Sequence, residues 1–295
     1  MDQPRVQLLH DTFFDFAPAP FKTASPTVAE IESLGRSINP GPVLRLVKDE
    51  LREASFLQRE LCPRILPDIQ NAQVHAWCRS KGSVGGDLHD VFRIDDSRVG
   101  FWIVDATGHN FSSAILAAMA RGVLGTYART ALRIGRFDSR DALSLLNEEI
   151  LGHGFADCSF VAAVCGTYDQ KTRTLRWTRA GTPAPLAVDA IHQVTRLESE
   201  GTVLGMIDDP PFVRRQHVLG CGEMVSFFTD GLEEISLDWA RALRSFGTHV
   251  PANQANSADS VSSNTLDPLE LALNQAVSGE TIADDVTVLT FRAIR

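Results

Sequence analysis

Carboxylates set at the ends of apolar runs are the residues here whose placement calls for chemistry. Phe101-Trp102-Ile103-Val104 runs into Asp105, and Gly108 then breaks the chain before a helical stretch. Just upstream, Val84-Gly85-Gly86 leads into Asp87-Leu88-His89-Asp90, and both halves read as strands that end on an acid. Val225-Ser226-Phe227-Phe228-Thr229 ends in Asp230-Gly231, and Asp284-Asp285 opens the run Val286-Thr287-Val288-Leu289. An acid at the tip of a buried strand is costly unless something cationic meets it. Hard divalent cations take carboxylate oxygens and water, so converging acidic strand ends make a pattern for Mg²⁺ or Mn²⁺. Taken singly, Asp87 and Asp230 read as ordinary turn acids and Asp284-Asp285 as a strand cap. Their joint order turns the reading toward a metal centre.

That order can be written out. Gly85-Gly86-Asp87 comes first, then Asp105-x-x-Gly108-His109, Ala180-Gly181-x-x-x-Pro185-Leu186, Thr229-Asp230-Gly231 and Asp284-Asp285-x-Thr287. Upstream, Gln58 to Pro67 reads Q-x-x-L-x-P-x-x-L-P. From about Leu57 to the C-terminus the chain resembles the SpoIIE/RsbU-type branch of the bacterial PP2C (PPM) serine/threonine phosphatases. The resemblance implies two Mn²⁺ or Mg²⁺ ions. Asp105 would bridge both, and Asp230 and Asp284 would bind one of them. Asp87 would bind or orient on the other side, and the carbonyl of Ala106 would be a backbone ligand. Asp285 takes the place of Asp284 if the register is off by one. His109 stands in the family's Gly-His-Gly; it either serves a leaving oxygen as donor or acid, or simply holds the turn. Asn110 stands where the family usually has Gly, and Thr182 where His or Asn often follows Ala-Gly. These departures bear on substrate access and rate more than on fold.

The function so implied is a metal-dependent protein serine/threonine phosphatase in bacterial signalling. Phosphate monoesters hydrolyse extremely slowly in water, and two cations that activate a water and neutralise phosphoryl charge remove the need for a protein nucleophile. The expected partner is a phosphorylated regulatory protein, typically an anti-sigma-factor antagonist in a partner-switching circuit. A reading from another class is a non-catalytic signalling scaffold on the same fold that binds a partner. A small-molecule phosphohydrolase is a third, but it needs a tight basic pocket that the sequence does not display.

Composition narrows the field. A chain of 295 residues with 44% hydrophobic content buries a real core. The net charge of −9 argues against nucleic acid or an anionic membrane as the partner. The cysteines Cys62, Cys78, Cys158, Cys165 and Cys221 are odd in number and form no Cys-x-x-Cys pair, which favours reduced thiols over a disulfide framework or zinc site. The N-terminus lacks a basic region before a hydrophobic one, and no apolar run is long enough to span a bilayer. A cytoplasmic location is expected.

The elements that must position the acids follow from periodicity. Residues 1–56 read as an N-terminal segment and linker helix, and residues 57–295 as the phosphatase domain. The first residues mix Phe13, Phe14, Phe16 and Phe21 with prolines and deny a regular helix. A short helix is predicted from Val28 to Ser37, a break at Asn39-Pro40-Gly41-Pro42, and a longer helix from Val43 to Cys62 with Gln58 as a polar interruption. That helix either packs on its own domain or pairs with a second copy as a homodimer. Because it runs straight into the first strand, its packing bears on the Asp87 loop. Strands are predicted over Val74–Cys78, Asp87–Ile94 and Val99–Val104. Helices follow at Asn110–Leu132, with Ile115, Leu116, Met119, Val123 and Leu124 for burial, and at Asp138–Leu151. A second block of strands runs from Ser159 to Thr229. Helices are predicted near Ala240–Arg244 and Leu266–Ala276, a mobile loop over Thr248–Asn264, and a last strand over Val286–Arg292. Strands, helices, strands, helices and a strand predict an α+β fold in which two stacked, mainly antiparallel sheets are flanked by helices. The resemblance implies the same PP2C-like αββα sandwich, with the metal site at one end between the sheets.

Overall fold

The computed structural model describes residues 40–108, 111–154, 159–234, 273–274 and 282–294, without the side chains of 40–44 and 46. The predicted helices at 28–37 and 240–244, the loop at 248–264 and His109 and Asn110 lie outside the described residues. So does all of the helix predicted at 266–276 except its helical residues Leu273 and Asn274. The contacts divide the chain into two units, Met1–Asp49 and Glu50–Arg295.

Helix α1 spans Pro40–Glu60. It begins inside the Asn39-Pro40-Gly41-Pro42 stretch that the sequence suggested as a break. Proline is tolerated in a first helical turn, where the N–H it lacks has no intrahelical acceptor. The strands are β1 (Ala72–Arg79), β2 (Asp87–Arg93) and β3 (Arg98–Ala106). Helices α2 (Phe111–Ile134) and α3 (Ser139–His153) follow. Next come β4 (Val161–Asp169), β5 (Thr174–Ala180), β6 (Leu186–Val188), β7 (Val194–Arg196), β8 (Arg214–Val218) and β9 (Met224–Phe228). A one-turn helix α4 (Gly231–Glu234), not foreseen from the sequence, and β10 (Val286–Ala293) follow among the described residues. Asp138 caps α3 rather than joining it: its backbone is extended and its carboxylate accepts the N–H of Arg140.

The strands make two five-stranded sheets, in the orders β1-β10-β9-β6-β7 and β2-β3-β4-β5-β8. Every strand pairing is antiparallel. Alternation along β3 explains the layers. Phe101 and Ile103 point into the space between the sheets, against Phe227, Leu289 and Phe291 of the other sheet. Trp102 and Val104 point the other way, into a second cluster with Leu116, Ala117, Ala120 and Leu124 of α2 and Leu143 and Leu146 of α3. Both faces of this strand are covered, so its apolar run is continuous rather than alternating. The outer face of the other sheet gathers Trp77, Leu186, Phe228 and Val288 with Leu232 and Leu273. The result is the predicted sandwich of two sheets with helices outside.

One burial expectation is corrected. Ile115 is exposed, and the α2 face turned to the sheet is largely alanine: Ala114, Ala117, Ala120, Ala128 and Ala131 are all buried. Small side chains let the helix approach a sheet whose own residues, Trp102 among them, are large. Among the described residues no helix is long and apolar enough to cross a membrane.

Candidate metal centre

Strand order brings the acids to one end of the sandwich. Asp87 and Asp105 are direct partners across the β2–β3 ladder. Asp87 thus opens its strand, as the strand predicted over Asp87–Ile94 has it, whereas the Val84–Asp90 stretch does not form a strand that ends on an acid. Opposed like charges on neighbouring strands repel, with Cβ atoms about 5 Å apart in such pairs. In the other sheet β9 and β10 are antiparallel neighbours, so the end of β9, with Thr229 and Asp230, lies beside the start of β10, with Asp284 and Asp285. Asp105 feels all four of the other acids, and Asp87 feels Asp285 and Asp230. Burial raises the Asp105 carboxyl to about 9, and the charges of Asp87, Asp230, Asp284 and Asp285 add to it. Burial likewise raises Asp87 to about 8, with Asp285 and Asp230 adding to the shift, although the Thr229 and Thr287 hydroxyls pull the other way.

These acids differ in exposure and in the hydrogen bonds they accept. Asp285 is 3% exposed and fully engaged: Oδ1 accepts the N–H of Lys81 at 2.7 Å, and Oδ2 accepts the N–H of Gly86 at 2.6 Å. It holds the loop before β2. Asp284 is partly exposed, and its Oδ1 accepts the N–H of Asp285 at 2.8 Å. Asp230 is exposed. Asp87, also 3% exposed, takes the hydroxyl of Thr229 on Oδ2 at 2.8 Å, while its buried Oδ1 has no hydrogen-bond partner among the described residues. Ala106 donates its N–H to Gly86 O at 3.0 Å. Its own carbonyl oxygen lies so near Gly86 that a Cβ there would stand 2.4 Å away. A Cβ on Gly85 would meet the Asp285 carboxylate at 2.6 Å. The Gly-Gly pair is thus a steric requirement of the acid cluster.

Three residues contribute that the sequence reading had given no role here. Thr229 is completely buried and links the sheets, donating to Asp87 and accepting the N–H of Thr287 at 2.9 Å. Thr287 in turn donates to Cys78 Sγ at 3.2 Å. Gln58 of α1 contacts Gly85 through both polar atoms of its side chain. Each sits inside a quoted motif, yet a hydroxyl or carboxamide beside an acid carries no signal until its partner is known. Thr182, one of the departures from the family pattern, is 1% exposed, and its carbonyl accepts from Arg179.

A buried carboxylate oxygen without a partner, set among acids that raise one another's affinity for a proton, fits an all-oxygen site for a hard cation. Among the described residues, no group of three His, Cys, Asp or Glu side chains closes on one ligating centre.

An αββα sandwich with acids at one end, between the sheets, is the build of a PP2C-type phosphatase. The family model for Stage II sporulation protein E (SpoIIE) matches residues 95–294, and the chain belongs to that family. It is 22% identical over 261 residues to Protein IcfG of Synechocystis sp. (strain ATCC 27184 / PCC 6803 / Kazusa), covering 81% of this chain and 41% of that protein. The chain therefore spans about two fifths of that relative's length. Among solved structures it is similar to the SiaA-PP2C domain of Pseudomonas aeruginosa, with a TM-score of 0.67 and 19% identity over 85% of this chain and 98% of that one. It is also similar to the RsbU and RsbW domains of Rv1364c from Mycobacterium tuberculosis, with a TM-score of 0.60 and 21% identity over 78% of this chain and 62% of that one. At these identities the structural matches speak to the fold.

Proposed function

We propose that this chain is a divalent-metal-dependent protein serine/threonine phosphatase in bacterial signalling. The observation that carries the reading is the cross-strand pair of buried Asp87 and half-buried Asp105, with Asp87 Oδ1 unpartnered among the described residues and Asp230 and Asp284 within electrostatic reach of Asp105. Asp105, Asp87, Asp230, Asp284 and the Ala106 carbonyl would hold two Mn²⁺ or Mg²⁺ ions. When bound, such cations neutralise phosphoryl oxygens and activate a water for in-line attack on phosphorus.

The chain's own residues prepare the site. Thr229 occupies one oxygen of Asp87 and leaves the other facing the acid cluster. Asp285, engaged by two backbone N–H groups, fixes the loop instead of serving as a ligand, so Asp284 takes the ligand role. Without a cation, Asp87 and Asp105 hold protons near neutral pH, their carboxyls raised to about 8 and about 9. Burial pushes the Cys165 thiol upward, away from the thiolate form. His109 keeps its proposed place beside the leaving oxygen or in the turn.

The proposed substrate is a phosphorylated regulatory protein of the anti-sigma-factor antagonist type. A homodimer through α1, where Phe56 and Leu57 stand exposed, belongs to the same proposal. Hydrolysis of p-nitrophenyl phosphate with Mn²⁺ and its loss in EDTA test the activity; absence of any Mn²⁺-dependent turnover sinks it. Incubation with phosphorylated candidate antagonists tests the substrate. Equal cleavage of generic phosphopeptides and folded candidates would remove the dedicated partner while leaving the phosphatase.

A further inference from the structure

The loop that delivers Asp87 is held residue by residue from different parts of the fold. Gly86 is fixed by Asp285, which accepts its N–H, and by Ala106, which donates to its carbonyl. Asp87 is fixed by Thr229. Gly85 is fixed by Gln58: the side-chain Nε2 donates to Gly85 O at 2.6 Å, and Gly85 N donates to Gln58 Oε1 at 2.9 Å. A carboxamide pairs with a peptide unit in this way much as a neighbouring strand would, satisfying its donor and acceptor together. The contact spans 27 residues of sequence.

The rest of the helix end offers little competition. Phe56 and Leu57 are exposed, at 55% and 64%, while Gln58 is half-buried. Just beyond the helix, Arg121 Nε donates to Leu61 O at 2.8 Å, and Leu61 and Cys62 pack against the α2 cluster. The end of α1 is therefore anchored to α2, and Gln58 reaches from that anchor to the metal loop.

We propose that Gln58 is a positioning residue, whose carboxamide grips both polar groups of Gly85 and thereby sets where Asp87 presents its unpartnered oxygen. Its consequence for cation affinity rests on the phosphatase reading above; its grip on the loop does not. Loss of the grip frees Gly85, a residue with wide conformational freedom, two residues before a buried acid whose oxygen needs a fixed place.

The test uses the full chain with Gln58→Ala and with Gln58→Glu, which keeps the size and the acceptor but loses the donor at neutral pH. Leu143→Ala, in the core beneath α3, is the control for general destabilisation. Amide hydrogen exchange in EDTA reads the loop without any metal. Exchange at Gly85 and Gly86 is expected to quicken about tenfold in both Gln58 variants relative to Leu143→Ala. Calorimetric Mn²⁺ titration is expected to show about tenfold weaker binding in the same two variants and no shift in Leu143→Ala. Unchanged exchange at Gly85 and Gly86 overturns the proposal, as does an equal Mn²⁺ shift in Leu143→Ala. Quickened exchange in a chain that binds no Mn²⁺ upholds the grip and removes the metal reading, so the two failures are told apart.

Discussion

The β2–β3 hairpin carries an acid group at each end, and the two ends have opposite fates. At the turn, Asp95 accepts from the backbone N–H of Ser97 and of Arg98, both at 2.8 Å, and from Arg98 Nε at 2.7 Å. Slight burial works against its charge, but the Arg98 guanidinium and these N–H groups outweigh it and hold the carboxyl at about 2. At the open end, Asp87 and Asp105 face each other with no cationic side chain among the described residues to meet them, and burial drives both upward. The same residue type on the same two strands is a turn fastener at one end and a stressed, ligand-ready group at the other. The difference lies in supply: a turn provides N–H groups within three residues, whereas a cluster of strand ends from two sheets provides mostly other acids.

The largest break in this comparison comes from Asp105→Asn. Removing the shared acid is expected to lower Mn²⁺-dependent hydrolysis of p-nitrophenyl phosphate by about a thousandfold or more. The variant should keep the circular-dichroism spectrum of the parent and unfold at a higher temperature in EDTA, since the cost of holding a carboxyl protonated far above its ordinary range is gone. Activity close to the parent's would count against the two-metal reading.

Thr229→Val follows in size. It keeps the shape but takes the donor from Asp87 and leaves the N–H of Thr287 buried without its acceptor. A loss of about 1–3 kcal/mol in urea unfolding is expected, with weaker Mn²⁺ binding by calorimetry.

Acid–base titration of stability sharpens the contrast. Asp105 has a folded value of about 9 against an ordinary 3.8, so the folded chain holds the extra proton between them. Its contribution is fully present below about pH 4 and is lost as pH rises toward 9, so metal-free stability should fall across that window. Saturating Mn²⁺ should flatten the fall, and Asp105→Asn should reduce it; denaturant melts at stepped pH in EDTA read both. Asp95 has the reverse sign: its contribution is present above about pH 4 and is lost as pH drops toward 2.

The smallest effect is expected at the turn. Asp95→Asn should cost less than about 1 kcal/mol, because the Arg98 pair is exposed to solvent, and should leave Mn²⁺ binding and hydrolysis unmoved. A change in Mn²⁺ affinity there would mean that the two ends of the hairpin are coupled.

Much of the scaffold was legible because its signals are local. Strands β1, β2, β3 and β10 differ from prediction by no more than two residues at either end. The continuous apolar run before Asp105 announced a strand, and Asp138 announced a helix start. Ile115 misled because helical periodicity marks a face without saying which neighbour covers it; the alanines turned out to face the sheet. Pro40 misled because proline both ends helices and begins them.

The acids, the glycines beside them and their order along the chain belong to the sequence alone, and with them the chemistry available at the strand ends. Which oxygen of which acid remains unpartnered was decided only by the tertiary structure. Asp285 meets Gly86 across 199 residues, and Thr229 meets Asp87 across 142. A carboxylate is a metal ligand or a loop fastener according to which donor reaches it. When that donor comes from another sheet or from the preceding helix, no spacing within the motif records it. Asp284 and Asp285, adjacent and identical in type, were therefore indistinguishable until β1, β2 and β10 were assembled around them.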